Sequence, residues 1–357
     1  MHFLARFFQA IPLCIALSVS QASDVWSIKK INGLEYVPQK NVEAFYQLKK
    51  VPSMRPKSLT LKGKNREITF QANSRAANIN GVVHWLCFPT VEQNGTFYVS
   101  RTDIAKTIEP ALRPEAQIKL RPVRTIVLDP GHGGHDGGAH SRYAYEKNFN
   151  LDLARRVRDR LLKRGFRVLM TRNRDAFVPL EERARIANRE KDAIFVSIHF
   201  NASDNRAAKG IEVFCTTPRG APSTGYERLR SRDMANEKGN ISDMESFALA
   251  NAVHHAMVGR LGGEDRGVKR ARFAVLRLTT LPSVLVEGAF LSNRHDARNV
   301  SSTAWRNRLA DAIVDGISSY RLLSEYRIAP RVVNDYREMV RPDTSLDPAS
   351  KEKLKLP

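Results

Sequence analysis

Apolar positions follow two rhythms along this chain. Across 23–115 they come in short alternating runs parted by turn residues, the mark of β-strands. IKKINGLEYVP turns at Asn32-Gly33, and SLTLKGKNREITFQ alternates on both sides of Gly63-Lys64-Asn65, a hairpin signal. Asn80-Gly81 and Asn94-Gly95 mark further turns, and a short helix is expected at 102–109, ahead of Pro110 and Pro114. These signals predict a small, mostly β domain.

From 124 onward, compact apolar runs alternate with stretches of helical period. Strands are expected at 125–128, 166–170, 193–198, 211–215, 273–278 and 284–286. Helices are expected at 148–164, 180–190, 244–261 and 305–320. In the first, Leu151, Ala154, Val157 and Leu161 share one stripe, and Gly165 supplies the stop. Phe247, Ala250, Val253 and Met257 line the third, and Leu309, Ala312, Ile313 and Ile317 the last. Strands separated by helices predict an α/β domain over 124–322, a mainly parallel twisted sheet with helices on both faces. A basic, proline-containing linker at 116–123 would precede it, and 323–357 would be a basic, partly flexible tail. Residues 217–243, rich in Gly, Ser, Pro, Arg and Asn, form a polar insertion of the kind that serves as a lid or regulatory segment.

Charge and the amino terminus narrow the function. The 357 residues carry 58 Lys and Arg against 37 Asp and Glu, a formal charge of +21. Such a surface suits an anionic partner: nucleic acid, a membrane face or an acidic wall polymer. No nucleic-acid module is recognisable, and the basic residues are scattered rather than gathered in one arm. Residues 1–22 read as a secretory signal peptide: Arg6 precedes a mostly apolar stretch from Phe7 to Val19, and Ser20-Gln21-Ala22 offers small residues for cleavage. The apolar run is too short for a stable membrane span, and Leu13 before Cys14 makes a poor lipoprotein signal. The expected location is the bacterial periplasm or cell envelope. Cys87 and Cys215 remain after cleavage; without zinc-finger spacing, they are expected as two buried free thiols.

Candidate chemistry gathers where predicted strands open onto loops. His132 stands in IVLDPGHGG, His199 in AIFVSIHFNAS and Glu287 in SVLVEGAF, while Glu146 opens a predicted helix. In parallel sheets, ligands collect at the carboxyl ends of strands. Two imidazoles and a carboxylate suit a catalytic zinc, and a further glutamate suits proton transfer. Asp129 and Asn201 flank the histidines and are expected to orient them. His135 and His140 are competitors that spacing alone does not exclude. His254 and His255 fall mid-helix and read as structural or surface residues; His84 and His295 carry no signal. The pattern GxGxxG fails at Asp136, and no P-loop lysine, G-x-S-x-G elbow or H-E-x-x-H helix is present.

The motifs in order are Val127-Leu128-Asp129-Pro130-Gly131-His132-Gly133-Gly134 with Asp136 and Gly138-Ala139, Glu146-Lys147, Thr171-Arg172 with Asp175, Leu180 with Arg183, and Ala187-Asn188. Ser197-Ile198-His199 with Asn201-Ala202, Gly210 with Glu212, and Leu285-Val286-Glu287 through Phe290-Leu291-Ser292-Asn293 complete the set. Residues 124–320 thereby resemble the zinc-dependent N-acetylmuramoyl-L-alanine amidases of the amidase-3 type. The resemblance implies zinc held by His132, Glu146 and His199, Glu287 as the catalytic glutamate, and Arg172, Asp175 and Arg183 as structural residues. It further implies peptidoglycan as partner and hydrolysis of the bond between N-acetylmuramic acid and L-alanine. The alternative is a non-catalytic peptidoglycan-binding or activator protein on the same fold. The family usually has glycine where this chain has Ala289; an unusual backbone angle there would cost an alanine about 1 kcal/mol. The family's larger members carry a long autoinhibitory helix near 217–243, and the insertion here is shorter. Asn80-Gly81, Phe88-Pro89 and Asn94-Gly95 resemble the pattern of the copper amine oxidase N-terminal-like module, and no copper role follows from it.

Overall fold

The computed structural model describes residues 26–53 and 55–340. The expected signal peptide and the end of the tail lie outside the described residues. In chain order the strands are β1 (Lys29–Ile31), β2 (Leu34–Pro38), β3 (Lys49–Val51), β4 (Ser58–Lys62), β5 (Glu67–Gln71), β6 (Ala76–Ile79), β7 (Val82–Trp85), β8 (Val91–Gln93), β9 (Thr96–Ser100), β10 (Thr125–Pro130), β11 (Arg167–Met170), β12 (Ala193–Asn201), β13 (Ile211–Thr216), β14 (Asp265–Ala271) and β15 (Ser283–Phe290). The helices are α1 (Gln39–Tyr46), the short α2 (Arg101–Asp103), α3 (Glu109–Leu112) and α4 (Pro114–Gln117), then α5 (Glu146–Lys163), α6 (Leu180–Asn188), α7 (Asp243–Leu261), α8 (Ala274–Arg277), α9 (Arg294–Ser301), α10 (Thr303–Tyr326) and α11 (Val333–Val340).

The Asn-Gly pairs turn hairpins as their chemistry requires. Asn32 and Gly33, Asn80 and Gly81, and Asn94 and Gly95 all have positive φ, the left-handed pair that matches strand twist. They close β1–β2, β6–β7 and β8–β9.

Eleven strands join one sheet in the order β11-β10-β12-β15-β13-β14-β7-β6-β5-β4-β3, and β1-β2-β9-β8 form a second. From β11 to β14, every pairing is parallel except β13 against β15. This is the mainly parallel sheet expected. Alternate residues divide its faces. Ile126, Leu128, Ile194, Val196, Val284 and Val286 meet the buried sides of α5, α7 and α10. Val127, Phe195 and Leu285 meet Ala187 of α6 and Val275 and Leu276 of α8. Among the described residues, no helix is long and apolar enough to cross a membrane.

One expected strand is wrong. Residues 273–278 hold the single turn α8, and the strand of that region is β14, eight residues earlier at its start. A short apolar run such as Phe273-Ala274-Val275-Leu276 has no period long enough to separate strand from helix. DRGVKRA lacks an apolar pattern because its buried charges are paired: Lys269 with Glu212, and Arg270 with Asp243.

The amino-terminal segment is built into the same sheet as β10, β12 and β15. β7 pairs in parallel with β14 through His84 and Val268. His84 Nε2 lies 2.8 Å from Asn251 Oδ1 on α7, and Trp85 Nε1 donates to the Arg266 carbonyl at 2.9 Å. Arg75 donates to carbonyls of the 217–243 insertion, reaching Tyr226 O at 2.7 Å. Arg270 is buried, bonding Asp243 Oδ1 at 2.6 Å and Thr216 O at 2.9 Å, and it also reaches the Lys106 carbonyl. Past 322, α10 continues to Tyr326, and α11 buries Val333 and Tyr336, the latter beside Gly259 of α7. Cys87 and Cys215 are free and buried, as expected. His254 and His255 are buried, with His254 Nε2 2.6 Å from Asp265 Oδ1.

Removing one partner of a buried ion pair leaves the other charge uncompensated. Arg270→Ala is therefore expected to destabilise the protein by about 3–5 kcal/mol, measured by urea unfolding. Arg158→Ala, at an exposed pair, should change it by less than about 1 kcal/mol.

Candidate active site

β10, β12 and β15 run parallel and in register, so their carboxyl ends fall on one edge. The loop after β10 carries His132, β12 carries His199, and β15 carries Glu287 directly opposite His199. Glu146, the first residue of α5, enters from the loop side. The ligand-type atoms of His132, Glu146 and His199 all lie within 4.8 Å of one another. Glu146 Oε2 is 3.1 Å from His132 Nε2, and Oε1 is 2.9 Å from His199 Nδ1. The same carboxylate accepts from the backbone of Ala139 at 2.9 Å and Phe200 at 3.2 Å, and from Asn150 Nδ2 at 3.1 Å. Burial opposes its charge, yet the hydrogen bonds and charges of His132 and His199 outweigh that and hold its carboxyl well below the usual range.

Small residues make room for this convergence. A Cβ on Gly131 would stand 2.1 Å from the His199 ring, and one on Gly138 would stand 2.5 Å from Glu146 Oε2. His132 itself has φ 59°, a left-handed backbone uncommon for a residue with a side chain. Two buried arginines hold the loop there. Arg172 donates to the carbonyls of Pro130 at 2.9 Å and Gly131 at 2.8 Å. Arg183 donates to those of Pro130 and His132, both at 2.8 Å. Lys147 and Asp175 brace the other side: Lys147 Nζ reaches Gly134 O at 2.7 Å and Asp175 Oδ2 at 2.8 Å, and Asp175 Oδ1 accepts from Gly134 N–H at 2.8 Å.

The orienting residues differ from expectation. Asp129 touches neither histidine; it accepts from Thr171 Oγ1 at 2.5 Å, and from Ser197 Oγ and Arg183 Nη1 at 2.8 Å each. Its side chain points to the α6 face beneath the loop. Asp136 orients His132 instead, with Oδ2 2.9 Å from Nδ1. Asn201 Nδ2 donates to Glu212 Oε1 at 2.5 Å rather than to His199. His135 stacks near Phe177 at 4.2 Å between ring centroids and His140 near Tyr145 at 5.8 Å, so neither joins the cluster.

Glu287 pairs with His199 on one side and Glu212 on the other. Its Oε2 is buried and has no hydrogen-bond partner. Burial, with the negative charges of Glu146 and Glu212, pushes its carboxyl well above the usual range, against the opposing Lys269. Glu212 is itself neutralised by Lys269 and by Arg266 Nε at 3.2 Å. The motif reading included Glu212 without a role, and Lys269 escaped it because β14 carries no strand pattern. Ala289 lies in extended β15 and is absent from the positive-φ residues, so the alanine adds no backbone strain.

Residues 126–319 match the family described as N-acetylmuramoyl-L-alanine amidase. N-acetylmuramoyl-L-alanine amidase AmiC of Escherichia coli O6:H1 is 35% identical over 62% of this chain and 59% of its own length. LytC of Bacillus subtilis, with the same enzyme name, is 36% identical over 55% of this chain and 35% of its own length. The match thus spans well under two thirds of both these relatives. AmiA of Escherichia coli K12 is 32% identical over 62% of this chain and 84% of its own length. The solved catalytic domain of CwlV from Bacillus (Paenibacillus) polymyxa var. colistinus is 34% identical over 55% of this chain and 97% of that domain, with a TM-score of 0.46. With more than half of its length matched by the family, this chain belongs to the N-acetylmuramoyl-L-alanine amidases.

Proposed function

We propose that this chain hydrolyses the amide between N-acetylmuramic acid and the L-alanine of peptidoglycan, with zinc as its metal. The observation that carries the reading is the convergence of His132, Glu146 and His199 within 4.8 Å, with Glu287 in register beside His199. Two imidazole nitrogens and a carboxylate oxygen are the donor set of a catalytic zinc that keeps a position open. The glycine cradle at Gly131 and Gly138 and the unpartnered Oε2 of Glu287 fit such a centre. His132, Glu146 and His199 would hold the metal. Bound there, zinc supplies Lewis acidity toward a carbonyl and makes a neighbouring water more acidic.

The protein's own groups account for the rest. Asp136 fixes the ring of His132 by its hydrogen bond to Nδ1, leaving Nε2 directed at the cluster. Glu287 accepts the proton of the attacking water at Oε2 and delivers it to the departing alanine nitrogen. A carboxyl held above the usual carboxylate range by burial and by the charges of Glu146 and Glu212 is a better proton acceptor than an exposed one. The negative charge of Glu212 adds to that elevation, and the ammonium of Lys269 beside it works against it. The signal-like amino terminus and the +21 charge support an exported protein working on the anionic envelope.

Digestion of purified peptidoglycan by the protein without residues 1–22 should release intact stem peptides, read by mass spectrometry. Products cut within the peptide or the glycan would overturn the reading, and an absence of products would favour a non-catalytic wall binder. Glu287→Gln should lower kcat by about 10²–10⁴-fold and leave zinc content unchanged by elemental analysis. Asp136→Asn is expected to weaken zinc binding by about 10–100-fold, measured by competition with a chelating dye. Gly131→Ala should lose zinc altogether while its circular dichroism stays native, since the new methyl would occupy the place of the His199 ring.

A further inference from the structure

The long sheet has one face that helices leave open. From β4 to β7, one set of alternating side chains is core: Leu59, Leu61, Ile68, Phe70, Ala77 and Ile79 are buried against the helices. The other set, including Thr60, Thr69, Asn78, Val83 and Trp85, stays partly accessible to solvent. On this second face α6 and α8 cover β10, β12 and β15. α8 also reaches β13, where Phe214 packs against the same cluster, and among the described residues no helix packs on this face from β14 outward.

The face adjoins the candidate active site through Glu212 and Lys269, both buried. Glu287 stands opposite Glu212 across the β15–β13 pairing. Phe214 and Lys269 follow as neighbours in register on β13 and β14. Beyond the bulge of β14, Gly267 lies so close to β7 that a Cβ there would stand 2.8 Å from the Val83 carbonyl oxygen. Val83 then opposes Asn78, Asn78 opposes Thr69, and Thr69 opposes Thr60. At about 4.8 Å per strand, the row from Glu287 to Thr60 extends roughly 30 Å across the sheet.

Its chemistry is that of a carbohydrate platform. The Thr60 and Thr69 hydroxyls lie 3.1 Å apart, and Asn78 adds an amide, so hydroxyl and amide groups repeat at strand spacing. Trp85, on β7 three strands from Glu287, offers an indole with the Lys269 ammonium 5.6 Å from its ring. Beyond Val83 the row is polar, Asn78, Thr69 and Thr60, where a protein partner would ask for an apolar centre. The chain's net charge of +21 complements an anionic polymer.

We propose that this face binds a glycan strand of peptidoglycan, running from β4 across β7 to β13, and presents its peptide branches to Glu287. The proposal rests on the amidase reading above. The amino-terminal meander is then an extension of the substrate platform.

The test uses two single variants, Thr60→Glu and Thr69→Glu, with Thr69→Gln as the size control. Each glutamate sets a like charge against an anionic polymer. Cleavage is measured on intact sacculi and on a soluble monomeric muramyl peptide. The expected result is a loss of about tenfold in kcat/KM on sacculi, about 1.4 kcal/mol, with the monomer cleaved as by the parent protein and with Thr69→Gln unchanged. Equal rates on sacculi for parent and both glutamate variants would overturn the proposal, as would a parallel loss on both substrates. Co-sedimentation of Glu287→Gln with sacculi gives a second measurement, independent of turnover. Its loss on adding Thr69→Glu supports the platform, and its persistence sinks it. If the parent cleaves neither substrate the amidase reading fails, and the sedimentation result still decides the platform.

Discussion

The buried pairing of Asp129 with Arg183 anchors the site. Asp129 is the penultimate residue of β10, where its two oxygens collect Thr171 from the segment after β11, Ser197 from β12 and Arg183 from α6. Both partners of the pair are buried, so each charge depends on the other and on the hydrogen bonds around it. Arg183 spends its remaining donors on the carbonyls of Val178, Pro130 and His132. The loop that carries His132 is thus held from below by a charge that cannot move without stranding Asp129. That constraint is what makes a left-handed histidine tolerable, because local strain persists only where its surroundings over-determine it.

From that anchor the electrostatics follow. Glu146, Glu212, Glu287 and Asp136 bring four carboxyl groups to one edge of the sheet, and the structure treats each differently. Glu146 is stabilised as an anion by two imidazoles and two backbone amides. Asp136 is tied to His132, and Glu212 is neutralised by Lys269 and Arg266. Glu287 alone among them has a buried oxygen with no partner, and its proton affinity rises accordingly. Carboxyls whose surroundings push their proton affinities apart are suited to different chemical roles.

The amino-terminal segment shares one apolar core with the rest of the described chain and is tied to it by hydrogen bonds as well. β7 meets β14 at a single register pair, reinforced by Val83 N–H to Asp265 Oδ2 at 2.8 Å and by the bonds of His84 and Trp85. Arg75 and Arg270 then bind carbonyls across the boundary. Such a junction is invisible to a reading based on hydrophobic period, which places a linker at 116–123 and treats the two parts as separate. Ile118 and Val123 within that stretch are buried in the common core.

Sequence by itself determined the α/β class, the Asn-Gly hairpins and the four long helices, because period and turn chemistry are local properties of adjacent residues. It also pointed to His132, His199 and Glu287 at the ends of neighbouring strands and to Glu146 at the start of a helix, which the structure brings to one edge. It misread what depends on partners distant in the chain. β14 is disguised by charges that only become compatible with burial once Glu212 and Asp243 arrive beside them. The orienting role went to Asp136 rather than Asp129 because side-chain direction follows loop geometry and not sequence proximity. Tertiary structure alone decided that His135 and His140 stand outside the cluster, that Ala289 is unstrained, and that the amino-terminal strands extend the sheet that carries the candidate site. Each of these outcomes turns on register and burial, which no single stretch of sequence contains.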